Sequence, residues 1–184
     1  MRITPVEIPG ILVIEPDVFR DSRGLFLETY HQAKYFQSGI REPFVQDNRS
    51  RSLKNVIRGL HAQRQQTQGK LIHVIEGEIY DVAVDVRRGL PTFGKWFGIK
   101  LSQDNFKQVF IPPGFVHGFA VLSDFAQVEY KCTDFYRPEE EITIRWNDPD
   151  IGIDWQIKNP ILSDKDRNAP LLNEVMDILP IVKA

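Results

Sequence analysis

Short apolar runs rich in Val, Ile, Phe and Tyr recur along the chain, each broken within a few positions by Gly, Pro or charged residues. Ile11–Ile14, Gly24–Tyr30, Val56–Gln63, Lys70–Ile75, Glu78–Val86, Lys95–Leu101, Gln108–Ile111, Gly118–Leu122, Ala126–Tyr136 and Glu141–Trp146 each read as a strand. β-Branched and aromatic side chains fit a pleated, half-buried surface. Many short strands separated by turn residues predict an all-β sandwich or barrel. Helical periodicity is scarce. His31–Ser38 predicts one short helix stopped by Gly39, and residues 170–184, with Pro170 and Pro180, read as irregular or short helical. No repeat, low-complexity tract or linker interrupts the pattern. It predicts one domain over residues 1–184, with a core over about 20–150 and an irregular segment over 151–184.

Two turns carry local geometry. Gly77, within Ile75-Glu-Gly-Glu-Ile79, predicts a hairpin between the flanking runs. Ile111-Pro-Pro-Gly-Phe115 predicts a stiff turn, because the prolines fix φ and Gly114 admits positive φ.

Composition narrows the function. The 184 residues carry 23 Lys+Arg against 25 Asp+Glu, a formal net charge of -2. A sequence-independent nucleic-acid coat needs a basic excess to displace counterions, so that class is excluded. The single cysteine, Cys132, rules out an intrachain disulfide and a zinc tetrathiolate within one chain. The early apolar run Ile11–Ile14 is too short for a signal peptide, and no later stretch approaches a membrane span. A cytoplasmic location is the expectation.

The candidate chemistry lies in five places. Val56-Ile-Arg-Gly-Leu-His-Ala-Gln63 sets Arg58 and His61 on one strand, where strict alternation sends them to opposite faces. They share a site only if Gly59 breaks the register, and glycine inside a strand marks a bulge or a close approach. Along Ala126–Tyr136 the period of two points Tyr130 inward with Ala126, Val128 and Cys132. That segment alone favours a core tyrosine bonded to backbone. Lys70 opens a strand on the face of Ile72 and Val74, and its position alone favours a solvated barrel rim, with His73 structural on the other face. His117 follows the proline turn and alternates with Phe119 and Val121, which points it inward. The charge run Leu162–Arg167 reads by itself as a solvated loop.

A strand histidine, a Gly-Glu turn and Pro-x-Gly-x-x-His together resemble the two motifs of the cupins, small jelly-roll barrels. Metal-binding cupins use His-x-His, whereas this chain has His61-Ala62-Gln63. An amide is a poor transition-metal ligand beside imidazole, which disfavours a metal. The chain is closely similar to one cupin family without a metal, the dTDP-4-dehydrorhamnose 3,5-epimerases. The matching segments are Phe19–Tyr30, Phe44–Asn48, Arg58–Gln63, Gly69–Leu71, Gly77–Asp85, Pro112–Phe119, Tyr130–Asp134, Trp146–Pro149 and Ser163–Asp166. Ala62 departs from the pattern, standing where an aromatic is common, and Glu141-Ile-Thr-Ile144 lacks the usual polar or Gly interior.

The resemblance implies a cupin-like jelly roll with a few short helices, no cofactor, and a 4-keto-6-deoxy sugar on thymidine diphosphate as substrate. In the family pattern His61 is the base that removes the C3 and C5 protons, and Asp166 orients and charges it. Tyr130 delivers a proton from the opposite face, and Lys70 stabilises the oxyanion at O4. Arg23, Glu28, Gln46, Asp47, Asn48, Arg58, His117, Glu141 and Lys165 match binding positions, and Tyr136 matches the ring that stacks on thymine. The family implies a homodimer whose N-terminal segments, with the Arg23 region, cross to the partner's site. Read on their own, Arg23 is equally a surface charge and Glu28 a solvent-facing strand residue. Two alternatives stand beside the double epimerase. One is a 3- or 5-monoepimerase or 3,4-ketoisomerase on the same sugar nucleotide; the other is a non-catalytic cupin binding module.

Overall fold

The structure is a computed structural model and describes residues 1–180; residues 181–184, the end of the expected irregular segment, lie outside the described residues. Its strands are β1 (Arg2–Pro5), β2 (Leu12–Glu15), β3 (Val18–Asp21), β4 (Gly24–Leu27), β5 (Gln46–Leu53), β6 (Ile57–Gln63), β7 (Lys70–Glu76), β8 (Glu78–Asp85), β9 (Trp96–Ser102), β10 (Gln108–Ile111), β11 (Phe115–Val121), β12 (Phe125–Cys132) and β13 (Glu141–Thr143). Two short helices, α1 (Gln32–Gln37) and α2 (Asp164–Arg167), complete the regular structure with a few 3-10 turns. The fold is all-β, as the apolar pattern predicts, and it is the cupin-like jelly roll.

Two antiparallel sheets face each other. One has the order β1-β2-β10-β7-β12-β5 and the other β13-β6-β11-β8-β9, while β3 and β4 form a separate ribbon. Alternation along each strand builds three apolar layers. Ile72, Val74, Ile79, Ala83, Phe115, Phe119 and Val128 fill the space between the sheets. Residues one step away, Val82, Val84, Val116 and Ala120, face outward and are covered by Trp155, Leu172 and Leu179 of the C-terminal segment. Helix α1 covers the other sheet, seating Tyr35 on Ile14, Leu71 and Phe110. The expected helix is therefore present, and its buried tyrosine is what docks it.

Several expectations need correction. The Gly77 turn is not a hairpin. β7 pairs with β10 and β12, β8 pairs with β9 and β11, and the chain changes sheets at Gly77. Gly77 has φ of 83°, and a Cβ there would collide with the Phe125 carbonyl, so the corner admits only glycine. The proline turn likewise carries the chain from β10 in one sheet to β11 in the other, with Gly114 at φ of 93°. The strand expected over Ala126–Tyr136 stops at Cys132, and that over Glu141–Trp146 stops at Thr143. β1, β3 and β5 were not predicted. β5 reads Gln-Asp-Asn-Arg-Ser-Arg-Ser-Leu and has no apolar alternation to betray it.

Candidate active site

The site begins at a break in register. Cα partners of β6 and β11 are His61 with His117 and Arg58 with Phe119, so three steps on β6 match two on β11. The extra residue makes a bulge at Gly59, whose φ is 122°. A Cβ at Gly59 would lie 2.6 Å from Gly118 Cα and 2.7 Å from the His117 carbonyl oxygen. This bulge removes the conflict that strict alternation created. Arg58 and His61 both line the cavity, while Leu60 and Ala62 pack into the outer core.

The cavity measures about 710 Å³ and opens between the sheets. His61 enters it from the five-stranded sheet, and Tyr130 and Lys70 enter from the six-stranded one. His61 Nε2 donates to Asp166 Oδ1 at 2.6 Å. That bond leaves Nδ1 as the basic nitrogen. Asp166 arrives from far along the chain, because Ile161 runs parallel to Val56 and sets α2 beside β6. Ser163 caps α2, its Oγ accepting from the Asp166 N–H at 3.1 Å. The run Leu162–Arg167 is thus a capped helical turn with Asp166 buried, not a solvated loop. Burial pushes the Asp166 carboxyl up, but the bonds from His61 and Ser163 and the charge of Lys165 more than offset it. The group is held below the ordinary carboxylate range and stays ionised.

Lys70 is in the cavity wall and not on a solvated rim. Burial holds its amine below the usual lysine value, partly countered by Cys132 and Glu141, and Nζ donates to Gln68 Oε1 at 3.3 Å. An anion placed beside Nζ would restore the charge that burial disfavours. Tyr130 faces the cavity with Ala126, Val128 and Cys132 beside it on one strand face. Burial raises its phenol, so it keeps its proton at neutral pH.

The remaining candidates divide. Gln46 and Asn48 line the cavity, whereas Asp47 points to the opposite face and pairs with Lys131 at 3.0 Å. Alternation along β5 forces this. Arg58 is steered by Ser52, whose Oγ accepts from Nε at 2.8 Å. Tyr136, Glu141 and Lys165 gather at the mouth: Lys165 Nζ donates to Glu141 Oε1 at 2.7 Å and the Tyr136 hydroxyl to Glu141 Oε2 at 3.3 Å. Arg23 and Glu28 do not reach the cavity of this chain. Arg23 lies at the tip of the exposed β3–β4 ribbon, bonded to Asp21 at 2.6 Å, and Glu28 pairs with Lys34 at 2.7 Å.

One functional group escaped the sequence reading. His117 Nε2 donates to Asp81 Oδ2 at 2.8 Å, a second histidine–carboxylate pair on the cavity wall. The signal was present: Asp81 interrupts an inward face that otherwise holds Ile79 and Ala83. Gln63, at the second position of the His-x-His pattern, bonds only to backbone groups. Among the described residues no group of three or more His, Cys, Asp or Glu is placed to hold a metal ion.

A jelly roll whose cavity sets a histidine bonded to an ionised aspartate against a protonated tyrosine and a half-buried lysine belongs to the class of acid–base proteins that move protons at carbon. The chain belongs to the dTDP-4-dehydrorhamnose 3,5-epimerase family, whose sequence pattern matches residues 5–174. The dTDP-4-dehydrorhamnose 3,5-epimerase of Pseudomonas aeruginosa is 52% identical over 170 residues, covering 91% of this chain and 93% of that one. The enzyme of the same name from Methanothermobacter thermautotrophicus is 49% identical over 176 residues, covering 94% and 95%. The crystal structure of the Legionella pneumophila dTDP-6-deoxy-D-glucose-3,5-epimerase, in complex with dTDP-4-keto-L-rhamnose, superposes with a TM-score of 0.97. It is 49% identical and covers 100% of this chain and 99% of that one.

Proposed function

We propose that this cavity epimerises dTDP-4-dehydro-6-deoxy-D-glucose at C3 and C5, giving dTDP-4-dehydro-L-rhamnose on the way to dTDP-L-rhamnose. The observation that carries the reading is the placement of His61 and Tyr130 on opposite sheets of one cavity. Inversion at carbon needs a base on one face and an acid on the other. The C4 ketone acidifies the hydrogens at C3 and C5. His61 Nδ1 takes one, the C–H electron pair becomes an enolate with its charge on O4, and Lys70 Nζ stabilises that oxyanion. Asp166 holds the imidazolium that forms. The Tyr130 hydroxyl then gives its proton to the same carbon from the other side. His61 releases its proton to solvent and Tyr130 regains one before the second centre reacts.

Arg58, with Nε tied to Ser52, offers its terminal nitrogens to the diphosphate, and guanidinium suits that bidentate task. Tyr136 stacks on the thymine, with Gln46, Asn48, His117, Glu141 and Lys165 completing the binding set. The ribbon fits a homodimer in which Arg23 and Glu28 serve the partner's cavity. Phe19 and Phe26 are 62% and 69% exposed there, and Arg23 has no route to the cavity of its own chain. We assign the enzyme to the cytoplasm; no helix among the described residues is long and apolar enough to cross a membrane.

Proton exchange in deuterated water, followed by NMR on the 4-keto sugar nucleotide, tests the reading. Label is expected at both C3 and C5. Label at one carbon alone makes this a monoepimerase, and no label leaves a binding protein. Tyr130→Phe is expected to retain exchange at some centre while inversion falls; intact inversion would remove Tyr130 from the acid role.

A further inference from the structure

Residues 133–137 follow β12 and carry Tyr136, yet they belong to no strand or helix. Side chains from the barrel hold them instead. Gln63, the last residue of β6, is 2% exposed and spends its whole amide on backbone. Its Nε2 donates to the Phe135 carbonyl at 3.1 Å and to the Gln66 carbonyl at 2.7 Å. Its Oε1 accepts from the Arg137 N–H at 2.6 Å. Between those two anchor points, the N–H of Tyr136 itself donates to Gln46 Oε1 at 2.8 Å.

Gln63 therefore grips the chain on both sides of Tyr136. On an irregular segment no ladder of backbone bonds sets the direction of a side chain, so the aim of the ring rests on how its flanking peptides are held, together with the bond from its hydroxyl to Glu141. Buried donors and acceptors that are fully paired make such a grip stiff, because breaking any one bond leaves a polar group unsatisfied. We propose that Gln63 is a positioning residue for the nucleotide end of the cavity and acts through Tyr136. The proposal rests on the reading of Tyr136 as the thymine platform. It also accounts for the amide at this position: the side chain that is a histidine in a His-x-His pair is here committed to the loop at the cavity mouth.

The test is a double-mutant cycle on dTDP binding, with turnover measured alongside. Gln63→Glu keeps the size of the side chain and the acceptor for Arg137 but sets a carboxylate oxygen against two carbonyls. The dissociation constant for dTDP is expected to rise about tenfold, with kcat at saturating substrate within about twofold of the unaltered enzyme. In a Tyr136→Ala background the same substitution is expected to cost less than about twofold, since the group it positions is already gone. Equal losses in the two backgrounds, an unchanged dissociation constant, or a kcat that falls in step with affinity each overturn the proposal. If Gln63→Glu does not fold, Gln63→Met, similar in shape but lacking the amide, enters the same cycle with the same expectations. Failure of the unaltered protein to bind dTDP would strike the functional reading, not the role of Gln63.

Discussion

Two histidines line the same wall on directly paired strands, each bonded to an aspartate. His61 and Asp166 meet at 2.6 Å, His117 and Asp81 at 2.8 Å, and in each the carboxylate takes the Nε2 hydrogen. Their surroundings differ. The His61 side chain is 29% exposed to the cavity, whereas that of His117 is 10% exposed and its aspartate 1%. Asp166 comes from a capped turn laid against the barrel, while Asp81 is part of the central sheet, between Ile79 and Ala83. Identical chemistry is thus placed once where a substrate carbon can reach it and once where the sheet encloses it. Under the proposed function, access is what selects the His61 pair for proton transfer and leaves the other to shape the wall.

The strongest way to break this contrast is to remove each histidine. His61→Asn is expected to lower exchange at both carbons by about 10³- to 10⁴-fold, the cost of losing a general base. Lys70→Met comes next, at about 10²- to 10³-fold in kcat, because one preorganised oxyanion partner is gone. A smaller loss than that from His117→Asn would move the oxyanion role away from Lys70. His117→Asn itself is expected to act mainly on stability, by about 3 kcal/mol, since it leaves the buried Asp81 without its partner. Its effect on turnover is expected at about tenfold, far below that of His61→Asn. Equal kinetic losses from the two histidine substitutions would end the distinction between reacting and enclosing pairs.

The gentlest probe is pH. The Asp166 carboxyl titrates below its unfolded value, so its contribution to stability is complete above about pH 4 and fades as pH falls through the lower folded value. Asp166→Asn is therefore expected to give a shallower loss of stability on acidification, read from thermal midpoints between about pH 5 and pH 2. A midpoint profile parallel to that of the unaltered protein would mean that Asp166 is not held ionised by His61.

How far the sequence reached depends on the element. β10 is found where its apolar run lies, because all four of its residues are buried, and α1 agrees to within a residue at each end, because Gly39 stops it. β5 left no such mark. Its inward residues Gln46, Asn48 and Ser50 line the cavity and Ser52 holds Arg58, so polarity falls on both faces and the alternation of hydropathy vanishes. The same logic hid Asp81, a charged residue on an apolar face that finds its partner only across β8 and β11. Position alone misplaced Lys70, because a strand's first residue reads as exposed until the neighbouring strands and loops are seen to close over it.

The chain by itself determined the strand-rich class and the exclusion of disulfides and of a nucleic-acid coat, and motif likeness singled out His61, Tyr130, Lys70 and Asp166 as the residues to examine. Local pattern and composition suffice for those, because burial period and residue chemistry are properties of the chain. Tertiary structure decided what alternation denied, that Arg58 and His61 share a face, by bulging β6 at Gly59. It also decided that Gly77 turns a corner between sheets, that Asp47 looks away from the cavity, and that His61 and Tyr130 stand on opposite walls. The physical reason is common to all of these. Register, sheet membership and the facing of two sheets are set by hydrogen bonds and packing between residues far apart in the chain, which no local window of sequence contains.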